Sequence, residues 1–252
     1  MARPPADNSN QATRCPKRPI IKAEHLRETP VKIVVGTGDK AATYHLPPTP
    51  LKVISPYFRA CLSDEFSEGA TNVVHLRDAN PAVFHHFVAW LLRIHDLGGN
   101  LDRTKPLIGL WILGDSIMCE DLQNRAMDVM RQLHLEYSGH DWHASAGCIL
   151  FAELASIVAH TCEGSELSSY AMDKIAHAMT RGLKLRELMK SGAYWARIPE
   201  TVKTEIFLRY QHYVDLGSKD SDPAQGEGCR YHVHDDTESR VTSENGQKAG
   251  TK

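Results

Sequence analysis

Residues 29–60 read TPVKIVVGTGDKAATYHLPPTPLKVISPYFRA, and the reading of this stretch decides what fold the chain can adopt. TPVKIVVG (29–36) is a short β-branched run, the composition of a half-buried strand. Gly36-Thr37-Gly38-Asp39 ends it, and Ala42–Leu46 resumes an alternating pattern, so the spacing predicts a β-hairpin. Pro47, Pro48 and Pro50 stop the second strand. Because Pro is tolerated in the first turn of a helix, Leu51–Ile54 can form one short turn before Ser55-Pro56 starts another. There Ser55 is the expected N-cap, Pro56 takes the first helical position, and Phe58, Cys61 and Leu62 share a face.

The same residues dispose of an attractive enzyme motif. Gly36 to Ala41 spell G-x-G-x-x-A directly after an apolar strand, the pattern that in a dinucleotide fold opens a long helix over a pyrophosphate. Here a second strand and three prolines follow, so no helix of useful length can start, and Asp64 and Glu65, the acids at about the right distance, fall in a helix end. The glycines are read as a hairpin turn.

Beyond this stretch the texture changes. NVVHL (72–76) is a third strand, and after it nearly everything has helical periodicity. A helix from Asn80-Pro81 carries Phe84, Phe87, Val88, Leu91, Leu92 and His95, and Leu97-Gly98-Gly99-Asn100 ends it. Pro106 restarts a helix with Leu107, Leu110, Trp111, Gly114 and Ile117; another follows with Leu122, Ala126, Val129, Met130 and Leu133. Further helices are predicted at about 145–160, at 166–180 capped by Ser165, at 183–190 and at 199–216. Phe58, Phe84, Phe87 and Trp111 stand at core spacing and are assigned to the interior.

The 252 residues overstate the folded part. Residues 1–28 hold six basic and three acidic side chains among scattered apolar ones, and residues 217–252 hold five basic and seven acidic ones with few aliphatics. Such segments bury too little surface to offset their ordering entropy, so both are expected to be disordered tails. The formal net charge of -2, with no basic stripe, argues against direct nucleic-acid binding. No apolar stretch reaches the roughly 18 residues of a membrane span. The chain is therefore expected to be intracellular, in cytoplasm or nucleus, with no membrane partner.

Chemistry-bearing clusters are sparse. Six cysteines lie far apart with no C-x-x-C pair, which fits reduced thiols, and Cys61, Cys119, Cys148 and Cys162 are expected to act as small buried hydrophobes. Cys229-Arg230-Tyr231-His232-Val233-His234 offers three soft ligands within six residues, but in a segment expected to lack a core, so no metal is assigned there. His140 and His143 around Asp141 share that weakness, and His85 and His86 are read as solvent-facing or rim residues. No nucleophile elbow, zinc-protease helix, P-loop or kinase set occurs. No cofactor and no catalytic residue is assigned.

The order hairpin, helix at S-P-Y-F, strand and helical cascade resembles a BTB/POZ domain, in flavour the short BTB proteins of filamentous fungi. The resemblance is carried by Val31–Gly36, Tyr44-His45-Leu46, Ser55–Ala60, Phe66-Ser67-Glu68-Gly69, Val73–Asp78, Asn80–Phe84 and Phe87–Leu92, with Gly114–Ile117 and Asp121–Asn124 resembling the closing helical pair. It implies an α+β fold, a small mixed sheet packed on a helical cascade over residues 29–135, followed by a helical extension at 136–216. It also implies a non-enzymatic protein-protein interaction module that forms homo- or hetero-oligomers. Two alternatives follow from it: a substrate adaptor docking a cullin-type ubiquitin ligase, and a nuclear transcription-associated scaffold. Phe66 and Glu68 resemble the hydrophobic-x-Glu motif of cullin-docking members and are the candidate partner-binding residues. The His45–Ser55 segment is longer than the family's usual spacing and filled with prolines, which alters the first helix, part of the usual dimer surface.

Overall fold

A computed structural model describes residues 22–63, 65–97, 103–136, 143–183, 192–215, 222–225 and 229–234. Among these residues it is a mixed α+β fold, mainly helical, with one three-stranded sheet. The hairpin forms as the sequence predicts: β1 (Val31–Val35) pairs antiparallel with β2 (Ala42–Leu46), Ile33 opposite Tyr44. Val31, Ile33 and Val35 are fully buried while Lys32 is exposed, the period-2 pattern of a one-sided strand. Gly36 at φ +80° and Gly38 at φ +62° carry the turn in the left-handed region, where a Cβ is disfavoured. The G-x-G-x-x-A stretch is thus a hairpin connection, ending in a single 3-10 turn at Gly38–Lys40.

Three short helices carry the chain to the other edge of the sheet: α1 (Pro48–Ile54), α2 (Pro56–Cys61) and α3 (Ser67–Thr71). The strand β3 (Val73–Leu76) then pairs parallel with β1, giving the order β2-β1-β3. Ser55 caps α2 by accepting the Phe58 N–H at 3.1 Å, as its position before Pro56 predicts. Its hydroxyl also donates to the Ile117 carbonyl, so one buried serine ties the S-P-Y-F block to a helix 62 residues away.

The helical part begins with α4 (Pro81–Leu91), capped by Asn80, whose Oδ1 accepts the Ala82 N–H at 2.9 Å. It ends sooner than its apolar stripe suggests. Arg93 takes φ +57°, so Leu92 is only partly buried and His95 is exposed rather than on the helix face. Next come α5 (Thr104–Ser116) and α6 (Glu120–Glu136), packed on each other, with α5 also on α4. Gly114 allows that approach: a Cβ there would stand 2.7 Å from Gln123 Cγ and 3.2 Å from the Cys119 carbonyl oxygen.

Among the described residues the remaining helices are α7 (His143–His160), α8 (Glu166–Thr180), α9 (Gly192–Arg197) and α10 (Glu200–Asp215). Ser165 caps α8 as expected, accepting the Ser168 N–H at 3.3 Å. The short α9 has no counterpart in the sequence reading, and the helix expected at 183–190 lies outside the described residues apart from Leu183. α8 packs on α7 and α10, and α7 also packs on α5. One hydrophobic cluster runs without a break from Val31 through Phe58, Phe84, Phe87 and Trp111 to Ile175, Ile206 and Tyr231. The extension therefore shares a core with the sheet-bearing part.

Both expected tails need correction where they are described. Ala23–Arg27 forms a 3-10 turn, and Glu28 accepts the Thr49 N–H at 3.0 Å, so the ordered body starts before residue 29. Asp222–Gln225 and Cys229–His234 lie against the helices, with Asp222, Ala224 and Tyr231 between 2% and 4% exposed. Apolar content alone underrates this segment, because ion pairs and one tyrosine hold it down. Cys162 is exposed and Cys61 half-buried; of the cysteines assigned to the interior, Cys119 is fully buried, and the Cys148 side chain lies outside the described set.

Candidate functional site: the α3 surface and the docked C-terminal segment

The candidate partner-binding residues sit together on the first turn of α3. Phe66 is its N-cap residue in an extended conformation, and the Gly69 and Ala70 N–H groups donate to the Phe66 carbonyl at 3.1 and 3.3 Å. Gly69 is pressed onto the preceding turn so closely that a Cβ would fall 1.9 Å from the Ser63 carbonyl oxygen. No side chain fits there. The consequence is a turn held against α2 with the Phe66 ring turned outward, 50% exposed. Core packing thus leaves half of this aromatic to solvent.

Glu68 is partly buried and accepts a hydrogen bond from Ser67 Oγ at 2.9 Å. Its charge reaches two groups on α2. Burial pushes the Tyr57 phenol up, with Cys61 and Glu68 adding to it. Burial likewise pushes the Cys61 thiol up, and Glu68 adds to it. Cys61 Sγ also donates to the Phe58 carbonyl at 3.8 Å, so the thiol is held protonated and occupied. Tyr57 and Cys61 thus border this surface, a grouping that sequence spacing alone does not announce. On α1, the helix built from the proline-rich insertion, Val53 is 55% exposed.

A second constellation, missed by the sequence reading, surrounds α8. Lys174 Nζ donates to both oxygens of Asp222, at 2.6 and 2.7 Å, and both side chains are almost completely buried. Burial pulls the Lys174 ammonium below its usual value although Asp222 draws it up. Burial would raise the Asp222 carboxyl, but the Lys174 charge, the hydrogen bonds from Lys174 and the Ala224 N–H together hold it below the usual carboxylate range. Beside them, Asp173 accepts from Arg209 Nη1 at 2.8 Å, Arg230 Nη2 at 2.9 Å and the Tyr231 hydroxyl at 2.6 Å.

His134 completes this interior. Its Nδ1 lies 2.7 Å from the Tyr170 hydroxyl and its Nε2 lies 2.9 Å from Thr104 Oγ1. Burial pulls its pKa down to about 3, with Lys174 adding to the effect, so the ring is neutral at physiological pH. Tyr170 then meets Tyr231 edge-on, with ring centroids 5.1 Å apart. What this cluster does chemically is dock the C-terminal segment, since its charges and dipoles are spent on one another. One sequence signal could have found it: Lys174 stands three residues after Ala171 and four before Ala178, within an apolar face.

Other candidates resolve simply. His85 is exposed and His86 partly buried on α4, as rim residues should be. The loop of His140 and Asp141 and the His143 side chain lie outside the described residues. No described helix is long and apolar enough to cross a membrane. No family model matches the chain, and no curated protein matches it.

Proposed function

We propose that the chain is a non-catalytic protein-protein interaction module of BTB/POZ type, which pairs with itself or another protein through the α3 surface. The observation that carries this reading is the half-exposed Phe66 beside Glu68 on a turn held by Gly69. An aromatic anchor next to a carboxylate on rigid backbone is the kind of pair that dominates binding energy at an interface, because little side-chain or loop entropy remains to be lost. The order hairpin, short helices, parallel third strand and helical cascade also supports it, being the arrangement the resemblance implies.

Light scattering of the full chain at tens of micromolar, with affinity purification of the tagged chain, tests the proposal. The expected result is an oligomer or a co-purifying protein, weakened about 30-fold or more by Phe66→Ala with Glu68→Ala, the loss of a hot spot of about 2 kcal/mol. A strict monomer that captures no protein would overturn it, and so would binding indifferent to the double substitution. A captured cullin would specify the adaptor form of the same reading.

A further inference from the structure

We propose that Cys229, His232 and His234 bind one Zn²⁺ ion, with a water completing the fourth position, and that the ion fixes the turn of the C-terminal segment that Asn124 and Asp128 hold against α6. The sequence around these residues carries no evident core to hold a ligand geometry, but the fold supplies one. Tyr231, between the ligands, is 2% exposed and belongs to the core cluster, with its hydroxyl on Asp173. The ligand atoms of Cys229, His232 and His234 come within 4.8 Å of one another. Tetrahedral ligation with bonds of about 2.0–2.3 Å sets ligand atoms roughly 3.3–3.7 Å apart, so small rotations of three side chains close the site.

Backbone and neighbours prepare it. The His232 N–H donates to the Cys229 carbonyl at 3.0 Å, a tight turn that brings the thiol and the first imidazole together. Asn124 on α6 then grips the residue between the two histidines: its Oδ1 accepts the Val233 N–H at 2.7 Å and its Nδ2 donates to the Val233 carbonyl at 3.0 Å. His232 Nε2 stands 2.7 Å from Asp128 Oδ1, also on α6. A carboxylate accepting from one ring nitrogen orients the imidazole from α6, the outer-shell support that metal-ligating histidines use. One thiolate with two imidazoles suits the borderline-soft Zn²⁺ over the oxygen-seeking Mg²⁺ and Ca²⁺.

The test uses the full chain, stripped with a chelator and titrated with Co²⁺ as a spectroscopic stand-in and then with Zn²⁺. The expected result is one equivalent of Co²⁺ showing a thiolate charge-transfer band and intense tetrahedral visible bands, displaced by Zn²⁺. Those signals should vanish in Cys229→Ser and in His234→Ala and persist in Cys162→Ser, and Asp128→Asn should weaken Zn²⁺ about 10–100-fold. Circular dichroism of each stripped variant against the stripped parent separates loss of ligand from loss of fold. Absence of the thiolate band in the parent, or its persistence in Cys229→Ser, would overturn the site. Neither outcome touches the α3 surface, whose binding is measured separately.

Discussion

Replacing Asp222 by alanine should be among the most damaging single changes outside the apolar core. In the native structure its carboxylate neutralises Lys174 at 2.6 and 2.7 Å, with the two side chains 2% and 1% exposed. Removing it strands a buried ammonium without its counter-ion, which in comparable pairs costs about 3–5 kcal/mol. At about 2–4 °C per kcal/mol for a chain of this size, the melting temperature should fall by roughly 6–20 °C. The companion change is Lys174→Met with Asp222→Leu, which removes both charges and keeps volume; it should recover most of the loss, since the desolvation cost of the pair goes with its attraction. Urea unfolding of the two single variants and the double variant gives the coupling energy. The pH dependence has a definite sign. Asp222 is held below its usual value in the fold, so its contribution is full above about pH 3.9 and fades as pH falls through the folded value. If Asp222→Ala unfolds within 1 kcal/mol of the parent at pH 7, well under the lower bound for breaking a buried pair, the docked position of residues 222–225 is refuted.

Three further outcomes follow from local geometry. Gly69→Ala places a Cβ 1.9 Å from the Ser63 oxygen, so α3 must shift; a stability loss of about 1–3 kcal/mol should accompany loss of Phe66-dependent partner capture, and retained capture would show that the turn does not position the ring. His134, neutral in the fold with its pKa near 3, adds stability that is complete above about pH 6.5 and is lost as pH falls towards 3; replacing His134 by phenylalanine should flatten the fall in stability over that window, read by urea unfolding at successive pH values. Cys119 is fully buried with its thiol pushed up to about 12, while Cys162 is exposed. Brief alkylation followed by peptide mapping should therefore label Cys162 in the native chain and Cys119 only after unfolding.

Much of the fold was legible because its signals are local. The β-branched run at 29–36, the glycine turn, Ser55 before Pro56, the helix start at Asn80-Pro81 and Ser165 before α8 all depend on residues a few positions apart, and each appears in the structure as read. Legibility failed where distant groups decide. The apolar stripe through His95 suggested a longer α4, yet the chain turns at Arg93 in a conformation that nearest-neighbour patterning does not encode. Of the candidate site, Phe66 and Glu68 were recognisable by resemblance, but the tight seat of Gly69 against Ser63 and the proximity of Tyr57 and Cys61 were not, since they depend on how α2 meets α3.

By itself, then, the sequence determined the class of the chain: a hairpin, short capped helices, a third strand and a run of amphipathic helices, with aromatics at core positions. Periodicity and capping are properties of the chain within one or two turns, so they are written along it. Only the tertiary structure decided that β3 lies parallel to β1, that the extension shares one core with the sheet, and that residues 222–225 and 229–234 are docked rather than loose. That last decision rests on Lys174, Asp173 and Asn124 meeting residues 48 to 109 positions away. Charged and polar groups show no periodicity that announces their partners. Their pairing becomes favourable only once helices from distant parts of the chain have closed around them and excluded water.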